Sequence, residues 1–199
     1  MIKRAEALKV VYDLHAIIET ASNDLSICYK MVNKNQFWRR TFVRSFFASI
    51  EGINHGIKNI SLLLVNVLKI KLTNAEIAML KEETYNLNEK GDVTLSKSKL
   101  RSKDNLCFTL KTFARASKAS FEIDRKSEEW GSYIEALRVR DRITHPKNSE
   151  DLIISDTELK IVQKTFIWYF ACMIALSNIA LSSLKSLLKD DTKKKVKKK

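Results

Sequence analysis

The spacing of apolar residues along the chain predicts long α-helices. In residues 3–31, apolar side chains such as Leu8, Val11 and Ile18 recur at steps of three and four. The same steps continue through residues 36–71, in a seam formed by Val43, Phe46, Ile50, Ile53, Ile57, Ile60, Leu64 and Val67. Residues three and four apart lie on one face of an α-helix, so both stretches are predicted to be amphipathic helices. The second is expected to be the longest helix, about 50 Å long.

A row of small residues runs beside this seam, at Ser45, Ser49, Gly52 and Gly56. A glycine inside a helix costs about 1 kcal/mol relative to alanine. Close packing against the row would offset that cost, and the packing partner is either another helix of the same chain or a second protomer. The row is therefore a candidate for internal packing and, alternatively, for a two-fold interface.

Capping boxes mark the starts of two further helices, at Thr73 with Glu76 and at Ser155 with Glu158. The helix that begins after Thr73 is expected to end near residue 87. The helix that begins after Ser155 is expected to be the last of the chain. Between them, the polar stretch 88–103 is predicted to be a loop, either a solvated connection or a contact for RNA.

Helices are also predicted over about residues 104–117 and from about residue 127 onward. Four glycines and one proline are too few for a turn-rich β fold. The expected fold is an all-α bundle of five to six helices with one very long second helix. It is expected to form a single domain over residues 1–189, followed by a disordered lysine-rich tail at 190–199.

An uncharged stretch at residues 165–184 is long enough to cross a bilayer. Its second half is diluted by Asn178 and three serines. A helix at the centre of a compact bundle, surrounded on all sides, needs the same apolar content. We therefore interpret the stretch as part of the core and expect no membrane partner. A tail-anchored membrane protein is the less favoured alternative.

The net charge of the chain indicates the class of partner, and its cysteines indicate the compartment. The formal net charge is +13, and residues 189–199 contribute seven lysines and two aspartates, or +5, which leaves +8 for the remainder. A basic body of this kind favours a polyanionic partner such as nucleic acid. The three cysteines are scattered without metal-ligand spacing, so we expect no metal, no cofactor and a reducing, cytoplasmic compartment.

The candidate chemistry lies in residues 135–147, which contain the only proline of the chain. Trp130, Tyr133 and Leu137 recur at helical spacing, and the next step along this apolar stripe is Arg140. Burying an unpaired guanidinium is costly, so Arg140 requires an anionic partner. That partner is either a carboxylate of the protein, with Glu51 of the second helix as the candidate, or a phosphate of a substrate.

Pro146 brings a histidine into the same region. The residue before a proline is driven out of the α conformation, so the helix is expected to unwind at Thr144 or His145. His145 can then turn back towards Arg140, and Asp141, one turn earlier, is expected to hydrogen bond the imidazole and set its tautomer. A histidine held in this way suits acid–base chemistry near neutral pH.

The stretch Arg140-Asp-Arg-Ile-Thr-His145 resembles the Arg-x4-6-His motif of the HEPN superfamily of small α-helical proteins. Residues 104–115 resemble a helix found upstream of that motif in similar proteins. The resemblance implies a metal-independent endoribonuclease, of a kind often found in toxin–antitoxin and defence systems. In this interpretation Arg140 binds the scissile phosphate and His145 assists attack by the ribose 2′-hydroxyl.

The same resemblance implies supporting roles and partners. Asp141, Arg142, Thr144 and Glu51 are the expected supporting residues, and the partners are RNA, a second copy of the chain and a cognate antitoxin-like protein. HEPN proteins also include non-catalytic modules that bind RNA, nucleotides or proteins, which is the alternative function. At the level of single residues, the alternative is that Arg140 and Asp141 form structural ion pairs and that His145 caps a helix.

Overall fold

The computed structural model describes the backbone of residues 4–196 and the side chains of residues 8–182. Within these residues the chain is mainly helical, as predicted, with six α-helices and one two-stranded antiparallel hairpin. The helices are α1 (Arg4–Met31), α2 (Gln36–Leu68), α3 (Asn74–Leu80), α4 (Ser102–Ala116), α5 (Glu128–Thr144) and α6 (Asp156–Val196). The strands are β1 (Glu83–Leu87) and β2 (Val93–Lys97), and a short 3-10 helix covers Glu150–Leu152.

The hairpin corrects the predicted extent of the third helix, which ends at Leu80 and not near residue 87. Lys81 is the C-cap, and Glu82 takes a left-handed φ of +58°, which breaks the helical path. In the hairpin turn, the Asn88 side chain accepts hydrogen bonds from the backbone of Lys90 and Asp92. Gly91 has φ +81°, a conformation that glycine adopts without strain.

One face of the hairpin is apolar and open to solvent. Tyr85 pairs with Leu95 and Leu87 with Val93, and between 56% and 72% of each residue is exposed. The opposite face is polar and includes a hydrogen bond between Asn86 and Ser96. The alternation of apolar and polar residues over 84–87 and 93–96 is the sequence signal for this hairpin.

The chain divides into two compact units. The hairpin unit contains Asn54–Glu122 and both ends of the chain, and the motif unit contains Tyr12–Ile53 and Ile123–Ala175. The division crosses helices, and the expectation of one domain over 1–189 stays a prediction. Residues 197–199 of the expected tail lie outside the described residues, and α6 extends to Val196.

Aromatic residues form much of the core of the motif unit. Phe42 and Phe46 of α2 stack with ring centroids 6.3 Å apart, and Phe46 meets Tyr169 edge to face. The ring centroid of Tyr133 of α5 lies 6.3 Å from that of Phe47. All five of these aromatic residues are buried. The predicted seam of α2 is therefore confirmed as a core face at Val43, Phe46, Ile50, Ile53 and Ile57, although Val67 is exposed.

The small-residue row meets another helix of the same chain at Gly52. A Cβ atom at this position would lie 3.3 Å from Cγ2 of Ile17, on α1. Internal packing is thus present at Gly52. The predicted stripe of α1 is not core at Leu8, Val11 and Ile18, because these side chains are exposed.

Two expectations about the long helices were wrong. The longest helix is α6, with 41 residues, and α2 has 33. In addition, α6 is not surrounded on all sides. It buries one face, which includes Thr165, Tyr169 and Leu176, and exposes Ile167 and Ile174.

By length and composition, α6 over Asp156–Ser182 is apolar enough to cross a membrane, and 22% of its most apolar stretch is buried. A core helix of a soluble protein satisfies the same criterion, so this property is weak support for a membrane span.

An ion pair in the hairpin unit has one buried partner. Lys58 of α2 is fully buried, and its Nζ is 3.0 Å from Oε1 of the half-buried Glu82. Nδ1 of His55 is 3.8 Å from Oε2 of the same carboxylate. Burial raises the pKa of Glu82, but Lys58 and His55 outweigh that effect and hold the pKa below its ordinary value. Glu82 thus provides a carboxylate partner for the buried ammonium of Lys58.

We expect Glu82→Gln to lower the free energy of unfolding by about 3 kcal/mol, because it leaves a buried ammonium without its carboxylate. The Lys58→Met/Glu82→Gln double variant should recover most of that loss. The neighbouring Glu83→Gln is the matched control and should change little. Urea unfolding followed by circular dichroism measures all three, and a Glu82→Gln protein as stable as the wild type would contradict the prediction.

Candidate functional site

Helix α5 presents the candidate residues at its C-terminal end. Ser127 caps its start by accepting a hydrogen bond from the Trp130 backbone, at 3.2 Å. The helix ends at Thr144, and His145 has φ −124° and ψ 59°, outside the helical region. This is the unwinding that Pro146 predicts. The sequence-based end of the helix is confirmed.

Arg140 lies at the edge of the core of the motif unit, with 21% of its side chain exposed. Its Nη2 is 3.6 Å from Oε1 of Glu51, and its Nε is 3.3 Å from Oδ1 of Asp141. The guanidinium also lies over the Phe47 ring, 5.4 Å from the centroid. The predicted contact between Arg140 and Glu51 is present, and the arginine is flanked by two carboxylates.

Both carboxylates are exposed to solvent, whereas the guanidinium is mostly covered. An RNA phosphodiester carries one negative charge, as a carboxylate does. It can therefore take the place of one carboxylate at the exposed edge of Arg140, because the displaced carboxylate is already solvated. The arrangement suits a phosphate-binding arginine, and it equally suits a structural ion-pair cluster.

His145 is exposed at the C-cap of α5, and its backbone N–H donates a hydrogen bond to the Asp141 carbonyl, at 3.0 Å. The Asp141 carboxylate pairs with Arg140, so the structure gives it a partner other than the expected imidazole. The Thr144 hydroxyl donates a hydrogen bond to the Arg140 carbonyl, at 2.7 Å, and so stabilises the last turn of the helix.

Arg142 holds the segment that follows the motif. Its Nη1 donates to the carbonyls of Asp151 and Ile153, at 2.7 and 2.9 Å. Its Nη2 donates to Oε1 of Glu158, at 2.6 Å. Arg142 therefore holds the backbone of the segment after the motif, and its supporting role in catalysis stays a prediction.

Three arginines of α2 bind backbone carbonyl groups at the end of α5 and in the segment that follows it. Arg44 donates to the Ile143 carbonyl at 2.8 Å, and Arg40 donates to the Leu152 carbonyl at 3.0 Å. Arg39 donates to the Ile154 carbonyl at 2.8 Å and pairs with Asp156. Sequence reasoning missed these roles, and their signal is the cluster of three arginines in residues 39–44.

His55 belongs to the hairpin unit and pairs there with Glu82. Among the residues that the structure describes, no group of three His, Cys, Asp or Glu side chains is placed to hold a metal ion.

Comparison with known protein families, curated proteins and solved structures finds no match to the chain.

The Arg142–Glu158 contact generates a prediction about acid stability. Burial raises the pKa of Glu158, but hydrogen bonds from the Ser155 backbone and hydroxyl, together with Arg142, outweigh it and hold the pKa below its ordinary value. A carboxyl with a lowered pKa stabilises the folded state above its unfolded pKa, about 4.3 for glutamate, and loses that effect as pH falls through the lower folded value.

Glu158→Gln should therefore lower the free energy of unfolding by about 1–3 kcal/mol at pH 7 and by much less at pH 3. The control is Glu135→Gln, which removes an exposed carboxylate paired with Arg138 and should have little effect at either pH. Urea midpoints at both pH values provide the measurement. An equal loss at pH 7 and pH 3 would show that the carboxylate charge is not the cause.

Proposed function

We propose that this protein is a metal-independent endoribonuclease of the HEPN type. The observation that supports the proposal best is the position of Arg140, mostly covered and one turn before the helix end that exposes His145. A positive group of fixed position beside an exposed imidazole provides the two elements that phosphodiester cleavage requires. They are a counter-charge for the phosphate and a group that transfers a proton.

In the proposed reaction, Arg140 binds the scissile phosphate by displacing Glu51 or Asp141 from its exposed edge. The ribose 2′-oxygen attacks phosphorus while its proton passes to a base, and the bond from phosphorus to the 5′-oxygen breaks. The leaving 5′-oxygen takes up a proton. The products are a 2′,3′-cyclic phosphate and a free 5′-hydroxyl, and no oxidant, reductant or metal enters the balance.

The proton transfers suggest a homodimer. One imidazole cannot be base and acid in the same step, whereas His145 of a second copy would provide the other group. A second Arg140 would also strengthen the binding of the phosphate. The HEPN resemblance implies the same arrangement, with two motifs facing one cleft.

The proposed setting is cytoplasmic, in a toxin–antitoxin or defence system with an antitoxin-like partner and no membrane partner. A second candidate function is a non-catalytic HEPN-type module that binds RNA, nucleotides or protein. The two carboxylates already beside Arg140 favour this alternative, since they complete a structural ion-pair cluster without any ligand.

We expect wild-type protein to cleave single-stranded RNA in EDTA, and His145→Ala and Arg140→Ala each to reduce the rate about 10²–10⁴-fold. Because both residues act on one transition state, the double variant should be little worse than either single variant. Asp141→Asn should cost less, since it removes only a neighbouring charge. The readout is gel analysis of product ends, which distinguishes a cyclic phosphate from a 3′-hydroxyl.

Matched controls exist on the same chain. Arg138→Ala removes an arginine of α5 that is paired on the surface, and His15→Ala removes an exposed histidine of α1. Both should cleave like the wild type. RNA that is bound but left intact by the wild type, or full activity of His145→Ala, would reject the enzyme in favour of the binding module.

The dimer is tested by light scattering and by mixing wild-type protein with an inactive variant. The wild type should be dimeric at micromolar concentration. An excess of His145→Ala protein should lower the activity of a fixed amount of wild type, because a mixed dimer retains one of the two histidines that the proton transfers require. A monomer at that concentration, or an activity that the added His145→Ala protein leaves unchanged, would contradict the shared cleft.

A further inference from the structure

A surface groove in the motif unit has an aromatic floor. It lies between α1 and α6 and has a volume of about 390 Å³. Tyr29 of α1 and Phe166 and Phe170 of α6 line it, together with Leu25 and the polar side chains of Ser22, Ser26 and Lys30. The groove shares no residue with the Arg140 site, and the candidate chemistry of α5 does not account for it.

Two of the rings in the floor are stacked, and the third is tilted. Tyr29 and Phe166 have an interplanar angle of 26° and ring centroids 5.8 Å apart. The ring centroid of Phe170 lies 5.0 Å from that of Phe166, at an interplanar angle of 57°. Tyr29 also meets Phe42 edge to face and is still 40% exposed, which leaves part of its side chain accessible to a further planar ring.

The remaining lining residues are polar and carry positive charge. Ser22 and Ser26 lie one turn apart on α1, so their exposed hydroxyls line the same side of the groove. Lys30 is exposed one further turn along the helix. None of the residues that line the groove is acidic. The groove thus combines an aromatic floor, the hydroxyls of Ser22 and Ser26, and the ammonium group of Lys30.

We propose that this groove binds a nucleobase of single-stranded RNA, with the base stacked on Tyr29 and an adjoining phosphate near Lys30. The inference rests on the proposed function, because it assigns a second binding point to the same RNA substrate. Stacking on an aromatic side chain accepts any base, since every base has a π face. The hydroxyls can donate to and accept from base edges without demanding one sequence.

The size and charge of the groove favour a base over other occupants. The volume of about 390 Å³ lies at the lower end of the range of small-molecule sites, about 300–1,000 Å³, so it suits a single base more than an extended segment of protein. A neutral apolar ligand would not use Lys30. The positive charge of Lys30 is complementary to the negative charge of the RNA backbone, and the whole chain carries a formal charge of +13.

The test uses full-length protein in the His145→Ala background, so that RNA is bound without being cleaved and the proposed phosphate contact of Arg140 is retained. The probe is single-stranded RNA containing 2-aminopurine, whose fluorescence is quenched on stacking. Tyr29→Leu keeps apolar bulk and removes the ring, and it should weaken RNA binding roughly five- to 100-fold and abolish quenching. Tyr29→Phe keeps the ring and should bind and quench like the parent.

Tyr12→Leu is the matched control, since Tyr12 is an exposed tyrosine on the same helix, and it should change neither quantity. Lys30→Gln should reduce the salt dependence of binding by about 0.7 in the slope of log affinity against log salt. Lys126→Gln alters an exposed lysine of another segment and should alter this slope less.

Each outcome supports or overturns the inference. If Tyr29→Leu binds RNA and quenches the probe like the parent while the wild type cleaves RNA, the groove assignment fails and the proposed function stands. If Tyr29→Leu and Tyr12→Leu weaken binding equally, stacking in the groove is also rejected. If the parent binds no RNA at all, both the groove assignment and the RNA substrate fail.

Discussion

The segment after α5 is held by arginine side chains that bind backbone carbonyl groups. The last carbonyls of a helix have no partner within the helix, and Pro146 prevents the chain from providing one by continuing the helix. Arg44 binds the Ile143 carbonyl, and Arg142 binds those of Asp151 and Ile153. A guanidinium has five donors in a planar fork, so one residue can hold several acceptors at once. The placement of His145 beside the end of α5 depends on these contacts.

The same reasoning separates the arginines of this region into two kinds. Those that bind carbonyls are committed to neutral acceptors that belong to the fold, so a ligand can take their place only by loosening the segment they hold. Arg140 contacts two solvent-exposed carboxylates, those of Glu51 and Asp141. Exchange of one of these carboxylates for a phosphate would leave the backbone of the segment after α5 in place. Under the proposed function, this difference favours Arg140 as the arginine that binds phosphate.

Local patterns in the sequence predicted the features that depend on residues close together in the chain, such as the ends of helices. Pro146 predicted the end of α5, the Thr73 box predicted the start of α3, and the extension of the apolar stripe indicated that Arg140 needed an anionic partner, either a carboxylate or a phosphate. The hydrogen bonds from arginine side chains to backbone carbonyls could not be predicted in this way. Arg40 and Leu152 are 112 positions apart, and a side chain bound to a backbone carbonyl leaves no periodic pattern.

Two other features of the structure differ from the prediction, because they depend on contacts between residues that are distant in the chain. The apolar content of α6 predicted burial on every side, yet composition does not specify how many neighbours a helix has, and Ile167 and Ile174 face solvent. The hairpin was missed although apolar and polar residues alternate over 84–87 and 93–96. The two strands pair with each other across the turn, so the signal is complete only when both segments are considered together.

A phosphate site and a base-stacking groove would contribute to RNA binding in different ways. Contacts between an arginine and phosphates release counter-ions, so their contribution falls as salt increases. Stacking on Tyr29 buries apolar surface and is nearly independent of salt. A chain of high positive charge binds many polyanions, and charge alone cannot separate single-stranded RNA from duplexes or acidic proteins. Only the exposed ring requires an unpaired base. Under the proposed function, the groove therefore provides selectivity for single strands, and Arg140 provides the chemistry.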